Sequence, residues 1–149
     1  MNSDIYQKYE KEGYAVFNLH DDVLIDSVNK DIDEILKSNE FRTNKKIYSY
    51  NESPRIIESF KKSKNCKKLS IHQKVINFLK GFYKDDPRAF STINFLKSTQ
   101  QPLHSDYAHF GTIPELKLAG SWIALQDIDP KSGPVQVVPR SHKLIPYDF

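Results

Sequence analysis

The chain has one cysteine, Cys66, so no disulfide can close within it, and a reducing, cytoplasmic setting is expected. No apolar run approaches the roughly 20 residues that a bilayer span requires. The opening, MNSDIYQKYEKEG, is polar and charged, which argues against a secretory signal or a membrane anchor. Neither sign of charge dominates. Against 22 Lys and Arg stand 19 Asp and Glu, and a formal +3 does not argue for nucleic acid. Internal repeats, low-complexity tracts and flexible linkers are also missing. The remaining composition, 38% hydrophobic and 28% charged over 149 residues, suits one folded domain, residues 1–149, with a real core.

The first half reads mostly as helix. Ser3 and Asp4 can open a short helix that runs to Lys11 and stops at Gly13. GYAVFNL, rich in β-formers, is predicted as a buried strand. Asp21 or Asp22 can cap a helix whose Leu24, Val28, Ile32, Ile35 and Leu36 form one apolar stripe. Ser53-Pro54 has the form of a helix start leading into RIIESFKK. Ser70 and Gln73 form a capping-box pattern for a helix with Ile71, Val75, Phe78, Leu79 and Phe82 facing inward. Between them lies KKSKNCKK, residues 61–68, the one concentrated patch of charge. It is read as a solvated turn between helices, with phosphate docking as the alternative. No aromatic interrupts it, so the stacking half of a single-strand nucleic-acid site is missing.

After Asp85-Asp86-Pro87 the character changes. AFSTINFLK, LAGSWIALQDI and PVQVV are strand-like, and DPKSGP has the composition of a hairpin turn. Helices followed by antiparallel strands give an α+β class, with the sheet expected to roll into a sandwich or barrel. Within this half, PLHSD carries the chemistry. On an extended backbone, side chains two residues apart share a face, so His104 and Asp106 converge. An imidazole and a carboxylate on one face are two-thirds of the 2-His-1-carboxylate arrangement that holds Fe(II) with positions left open. An H-x-D triplet alone is weak evidence, because it is common by chance.

The wider pattern is more specific. QPLHSDYAHFGT, then LAGSWIALQDIDPKSGPVQVVPRSHKL, resembles the core of the phytanoyl-CoA dioxygenase family in order and spacing, and YEKEGYAVFNLHDD resembles its opening. The resemblance implies N-terminal helices packed on a double-stranded β-helix, or jelly roll. It implies an Fe(II)- and 2-oxoglutarate-dependent oxygenase that hydroxylates an aliphatic C–H bond. It makes His104 and Asp106 metal ligands, places Trp122 and Ile93 in the 2-oxoglutarate pocket, and allows His109 a role facing substrate. A hydrogen-bonded loop histidine is the plainer reading of His109; core packing is the plainer reading of Ile93 and an equal alternative for Trp122. His142 matches the family's V-P-G-S-H histidine, which supports the site without ligating metal, while His20 and His72 read as surface residues.

Two departures follow from the same comparison. Arg140 stands where the family usually has glycine, so a positive φ there would strain the turn. The family's distal histidine and its 2-oxoglutarate-binding arginine follow the S-H motif, whereas this sequence stops at Phe149. Arg42, Arg55, Arg88 and Arg140 all fall outside that arginine's position. The expectation is therefore the family's N-terminal portion, with an incomplete metal site and an incomplete double-stranded β-helix. The expected partner is a small-molecule or acyl-thioester substrate, with neither nucleic acid nor membrane. A second expectation is a non-catalytic jelly-roll remnant that self-associates through exposed sheet edges.

Overall fold

The computed structural model describes residues 3–38, 55–97, 101–106, 110 and 117–144. Helix α1, Ser3–Glu12, stops where Gly13 takes φ +81° and its N–H reaches back 2.8 Å to the Tyr9 carbonyl. Such a left-handed turn suits glycine, which carries no Cβ to oppose it. Helix α2, Asp22–Lys37, is capped by Asp21, whose carboxylate accepts the Leu24 N–H at 3.2 Å. Val28 and Ile32 are buried and Leu24, Ile35 and Leu36 pack beside them, so the predicted stripe is the helix's core face.

Residues 13–19, predicted as a strand, are irregular. Their Phe17 instead joins an aromatic cluster, with ring centroids 5.5 Å from Phe78. Ser53 and Pro54 lie outside the described residues. The segment they were expected to start as a helix is strand β1, Arg55–Ile57, followed by a 3₁₀ turn over Ser59–Lys61. Ile56-Ile57 is a β-branched pair, and Ile56 is buried against the core. β1 pairs antiparallel with β2, Ile93–Phe95, in the register Arg55↔Phe95, Ile56↔Asn94 and Ile57↔Ile93. The Arg55 guanidinium lies 5.3 Å from the Phe95 ring centre, a cation–π contact that supports this register.

The basic segment 61–68 is not a turn. Its greater part is helix α3, Lys64–Ser70, which buries Cys66 and Leu69 while its lysines face outward. Ser63 is the cap that starts it, accepting the Cys66 N–H at 2.9 Å and donating its hydroxyl proton to Asp31 of α2. The charge run is thus the wet side of a helix whose other side belongs to the core formed by Val28, Ile32, Ile56, Cys66 and Leu69. Burying each large apolar side chain of this set contributes about 1.5–3 kcal/mol.

Helix α4, Gln73–Tyr83, is capped by His72, not by the Ser70–Gln73 box. Its Nδ1 accepts the Lys74 N–H at 3.2 Å, and its Nε2 lies 3.5 Å from Asp21. One imidazole therefore links the starts of α2 and α4, and His72 is largely buried where a surface position was expected. Val75 and Phe78 are buried as predicted, whereas Ile71 precedes the helix and is exposed.

Residues 118–128 and 134–138, predicted as strands, carry no strand assignment. DPKSGP does turn, through a 3₁₀ segment at Pro130–Ser132 closed by Gly133 at φ +76°, but it joins irregular chain. Ile123 and Leu125 still pack on the core, and the Asn29 side chain donates to the Leu125 carbonyl at 2.8 Å. Among the described residues the only sheet is the two-stranded β1–β2 pair. The fold is helices plus a small antiparallel sheet, an α+β arrangement.

Candidate metal centre

His104 sits on irregular chain and Asp106 on a 3₁₀ position, neither on a strand, and the Asp106 carbonyl accepts the Phe110 N–H at 3.0 Å. The two side chains nonetheless meet. His104 Nε2 is 3.4 Å from Asp106 Oδ1. The other imidazole nitrogen, Nδ1, lies 2.8 Å from the Pro102 carbonyl oxygen. A carbonyl can only accept, so Nδ1 carries the proton and, in the neutral ring, Nε2 presents its lone pair. A lone pair facing a carboxylate oxygen is repulsive unless a cation or proton lies between them. A backbone carbonyl holding the remote N–H of a histidine is also the usual way a metal-binding imidazole is oriented.

Both residues are exposed, so a solute can reach them directly. Gly120 borders the second oxygen of the carboxylate: a Cβ built there would lie 3.7 Å from Asp106 Oδ2. Sequence reasoning passed over this glycine, since nothing local connects residue 120 with residue 106. Trp122 follows two positions later and is 48% exposed, while Ile93, at the start of β2, is 38% exposed. Neither behaves as a core residue, which leaves both with apolar surface to offer a ligand. His109 lies outside the described residues. Among the described residues no three His, Cys, Asp or Glu side chains gather closely enough to hold a metal ion. His104 and Asp106 are therefore two donors of a site, not a complete cage.

The S-H motif does structural work on the opposite side of the sequence. Arg140 takes φ +67°, the strained conformation foreseen for a residue in glycine's place. The cost is offset where its N–H donates to the Glu12 carbonyl at 2.8 Å. His142 Nε2 donates to the Glu10 carbonyl at 3.0 Å, and its ring lies over Gly13. Residues 140–143 thus clasp the carboxyl end of α1, where carbonyls lack helical partners. His142 was expected to support the metal site; the contacts shown here tie it to the end of α1 instead.

Two recesses lie elsewhere. An open groove of about 560 Å³ is lined by Asp31, Glu34 and residues 62–65, and a cleft of about 100 Å³ by Phe60, Ile71 and Ala89 among others. Neither includes His104 or Asp106. No described helix is long and apolar enough to cross a membrane. No curated protein and no solved structure matches the chain. A family model does, over residues 9–148, from within α1 through the His104–Asp106 pair and past the His142 clasp, and the chain belongs to the phytanoyl-CoA dioxygenase family.

Proposed function

We propose that the chain serves an Fe(II)- and 2-oxoglutarate-dependent hydroxylation, with His104 and Asp106 as metal ligands. The observation that carries this reading is the facing of His104 Nε2 and Asp106 Oδ1 across 3.4 Å, with Nδ1 tied to Pro102. The residues present fit a divalent ion in donor chemistry: one imidazole lone pair and one carboxylate suit iron, and family membership supplies the context. When bound, Fe(II) and 2-oxoglutarate would supply hydroxylation of an aliphatic C–H bond with dioxygen as the oxidant, one oxygen atom going to the substrate and the other into succinate as carbon dioxide leaves.

The chain's own residues orient and shield. The Pro102 carbonyl holds the His104 ring by Nδ1, leaving Nε2 on the Asp106 side, where the two would hold an ion. Asp106 brings the negative charge that offsets part of the cation's. Trp122 and Ile93 are assigned to the apolar walls around 2-oxoglutarate, and His109 to the substrate side. The substrate is a small molecule or an acyl-thioester, and the setting is cytoplasmic.

The test is Co(II) binding together with succinate release in the presence of Fe(II), ascorbate and 2-oxoglutarate. His104→Ala and Asp106→Ala should each weaken Co(II) binding by about a hundredfold or more, beyond the roughly 10–100-fold typical of outer-shell changes. Binding that survives both substitutions would show that the ion sits elsewhere.

The exposed side chains of Phe90, Trp122, Val135, Val137 and Val138 favour a second reading, a non-catalytic module that self-associates. Concentration-dependent association without 2-oxoglutarate turnover would select it.

A further inference from the structure

Five of the eight residues from 61 to 68 are lysine, and helix α3 accounts for only part of that. Lys61 pairs with Glu58 at 2.7 Å, and Lys62 and Lys64 border the open groove that Asp31 and Glu34 also line. Lys64, Lys67 and Lys68 enter no ion pair among the described residues. They stand three and four positions apart, so they share the face of α3 opposite the buried Cys66 and Leu69, and like charges so placed repel. Lys67 and Lys68, in the last turn, suit the helix dipole. Lys64, in the first turn, opposes it, and no acidic residue stands there to offset it. The stability of the helix therefore does not explain the cluster. Beside it lies the cleft of about 100 Å³, lined by Phe60, Ile71 and Ala89 together with Lys67, and by no carboxylate. Ile71 continues the lysine face by one turn and is 49% exposed.

We infer that this face of α3 docks an acidic protein segment, with carboxylates over Lys64, Lys67 and Lys68 and one aliphatic side chain in the cleft. Charge complementarity sets the sign of the partner, and the apolar recess sets its anchor. A bilayer surface requires apolar groups that project into it, whereas the apolar lining here is recessed. A single-stranded nucleic acid requires a free aromatic face for stacking. The one aromatic lining the cleft, Phe60, already has the Lys61 ammonium 5.8 Å from its ring centre. The cleft includes neither His104 nor Asp106, so docking here is a function apart from metal ligation.

The experiment is fluorescence anisotropy of the full chain with a labelled peptide of Glu and Asp carrying one central Leu. Binding should weaken as salt rises, because the lysines are exposed and screened. Lys64→Glu, Lys67→Glu and Lys68→Glu together should weaken it at least about tenfold. Lys8→Glu, Lys131→Glu and Lys143→Glu, which remove the same charge elsewhere, should together stay within about threefold. A peptide with Ala in place of the Leu should bind at least about fivefold more weakly. Ala89→Phe, which fills the cleft, should erase that preference. Circular dichroism checks the fold; if the Glu variant melts early, alanine at the same three positions should still weaken binding at least about threefold. Failure of the unmodified chain to bind the peptide, equal losses in the two triple variants, or indifference to Leu against Ala would overturn the inference. Tighter retention on phosphatidylserine vesicles or on an oligothymidylate than on the peptide would overturn it too, in favour of a membrane or a nucleic acid.

Discussion

Substituting Gly13 by alanine tests whether residues 140–143 truly hold the end of α1. Two costs combine. Gly13 sits at φ +81°, where an L-residue with a Cβ is disfavoured by about 1–2 kcal/mol. Alanine recovers about 0.4–1 kcal/mol by restricting the unfolded chain. The second cost is steric: the new Cβ would overlap His142 Nδ1 and lie 2.8 Å from its Cγ. The ring must leave, forfeiting its 3.0 Å bond to the Glu10 carbonyl and its packing on the turn, together about 1 kcal/mol for an exposed group. Gly13→Ala should therefore destabilise the chain by about 2 kcal/mol in total. In a His142→Ala background only the backbone part remains, so the same substitution should cost about 1 kcal/mol, a coupling near 1 kcal/mol. Urea unfolding of the four chains, followed by circular dichroism at the helix band, measures this cycle. An equal cost in both backgrounds would refute the packing of His142 over Gly13.

Gly81 lies within α4, where helix propensity alone predicts that alanine stabilises by about 0.8–1 kcal/mol. Here its Cβ would overlap the Tyr6 hydroxyl, on a ring stacked 5.4 Å from Phe78, so Gly81→Ala should instead lower stability by about 1 kcal/mol net. Because the Tyr6 ring carbon Cζ would also lie 2.8 Å from the new Cβ, it is in a Tyr6→Ala background that the same substitution should regain its stabilising sign, as urea midpoints will show; a stabilising Gly81→Ala on its own would contradict the contact. Tyr9 gives a pH dependence. Burial, and secondarily the Tyr83 hydroxyl 3.3 Å away, hold its phenol well above the ordinary value of 10.0. The unfolded chain therefore loses this proton first, so the stability it contributes is intact below about pH 10 and declines as pH rises beyond it. Thermal melts between neutral pH and pH 11 should show a shallower alkaline decline for Tyr9→Phe, and an unchanged slope would assign that decline to other groups.

The sequence by itself determined what depends on neighbours within a turn or two of chain. The stripe from Leu24 to Leu36, the Asp21 cap and the stop at Gly13 were all legible because helical geometry brings residues three and four apart together. His104 and Asp106 were legible as a pair from their spacing, and they meet even though the backbone turns at Asp106. The helix after His72 was legible too, though its cap was misassigned: Ser70 fitted the sequence pattern, but the imidazole of His72 reaches the Lys74 N–H and also Asp21, fifty-one positions earlier. Tertiary structure decided whatever depends on partners remote in sequence. Arg55–Ile57 is a strand because Ile93–Phe95 lies beside it, overriding the helix start suggested by Ser53-Pro54. The basic segment at 61–68 is mostly a helix because Cys66 and Leu69 have a core to enter, which a count of lysines cannot reveal. Gly120 borders Asp106, and His142 covers Gly13, through contacts that no period of two or 3.6 residues encodes. Local pattern fixes which backbone conformations are cheap, and only burial against distant residues selects among them.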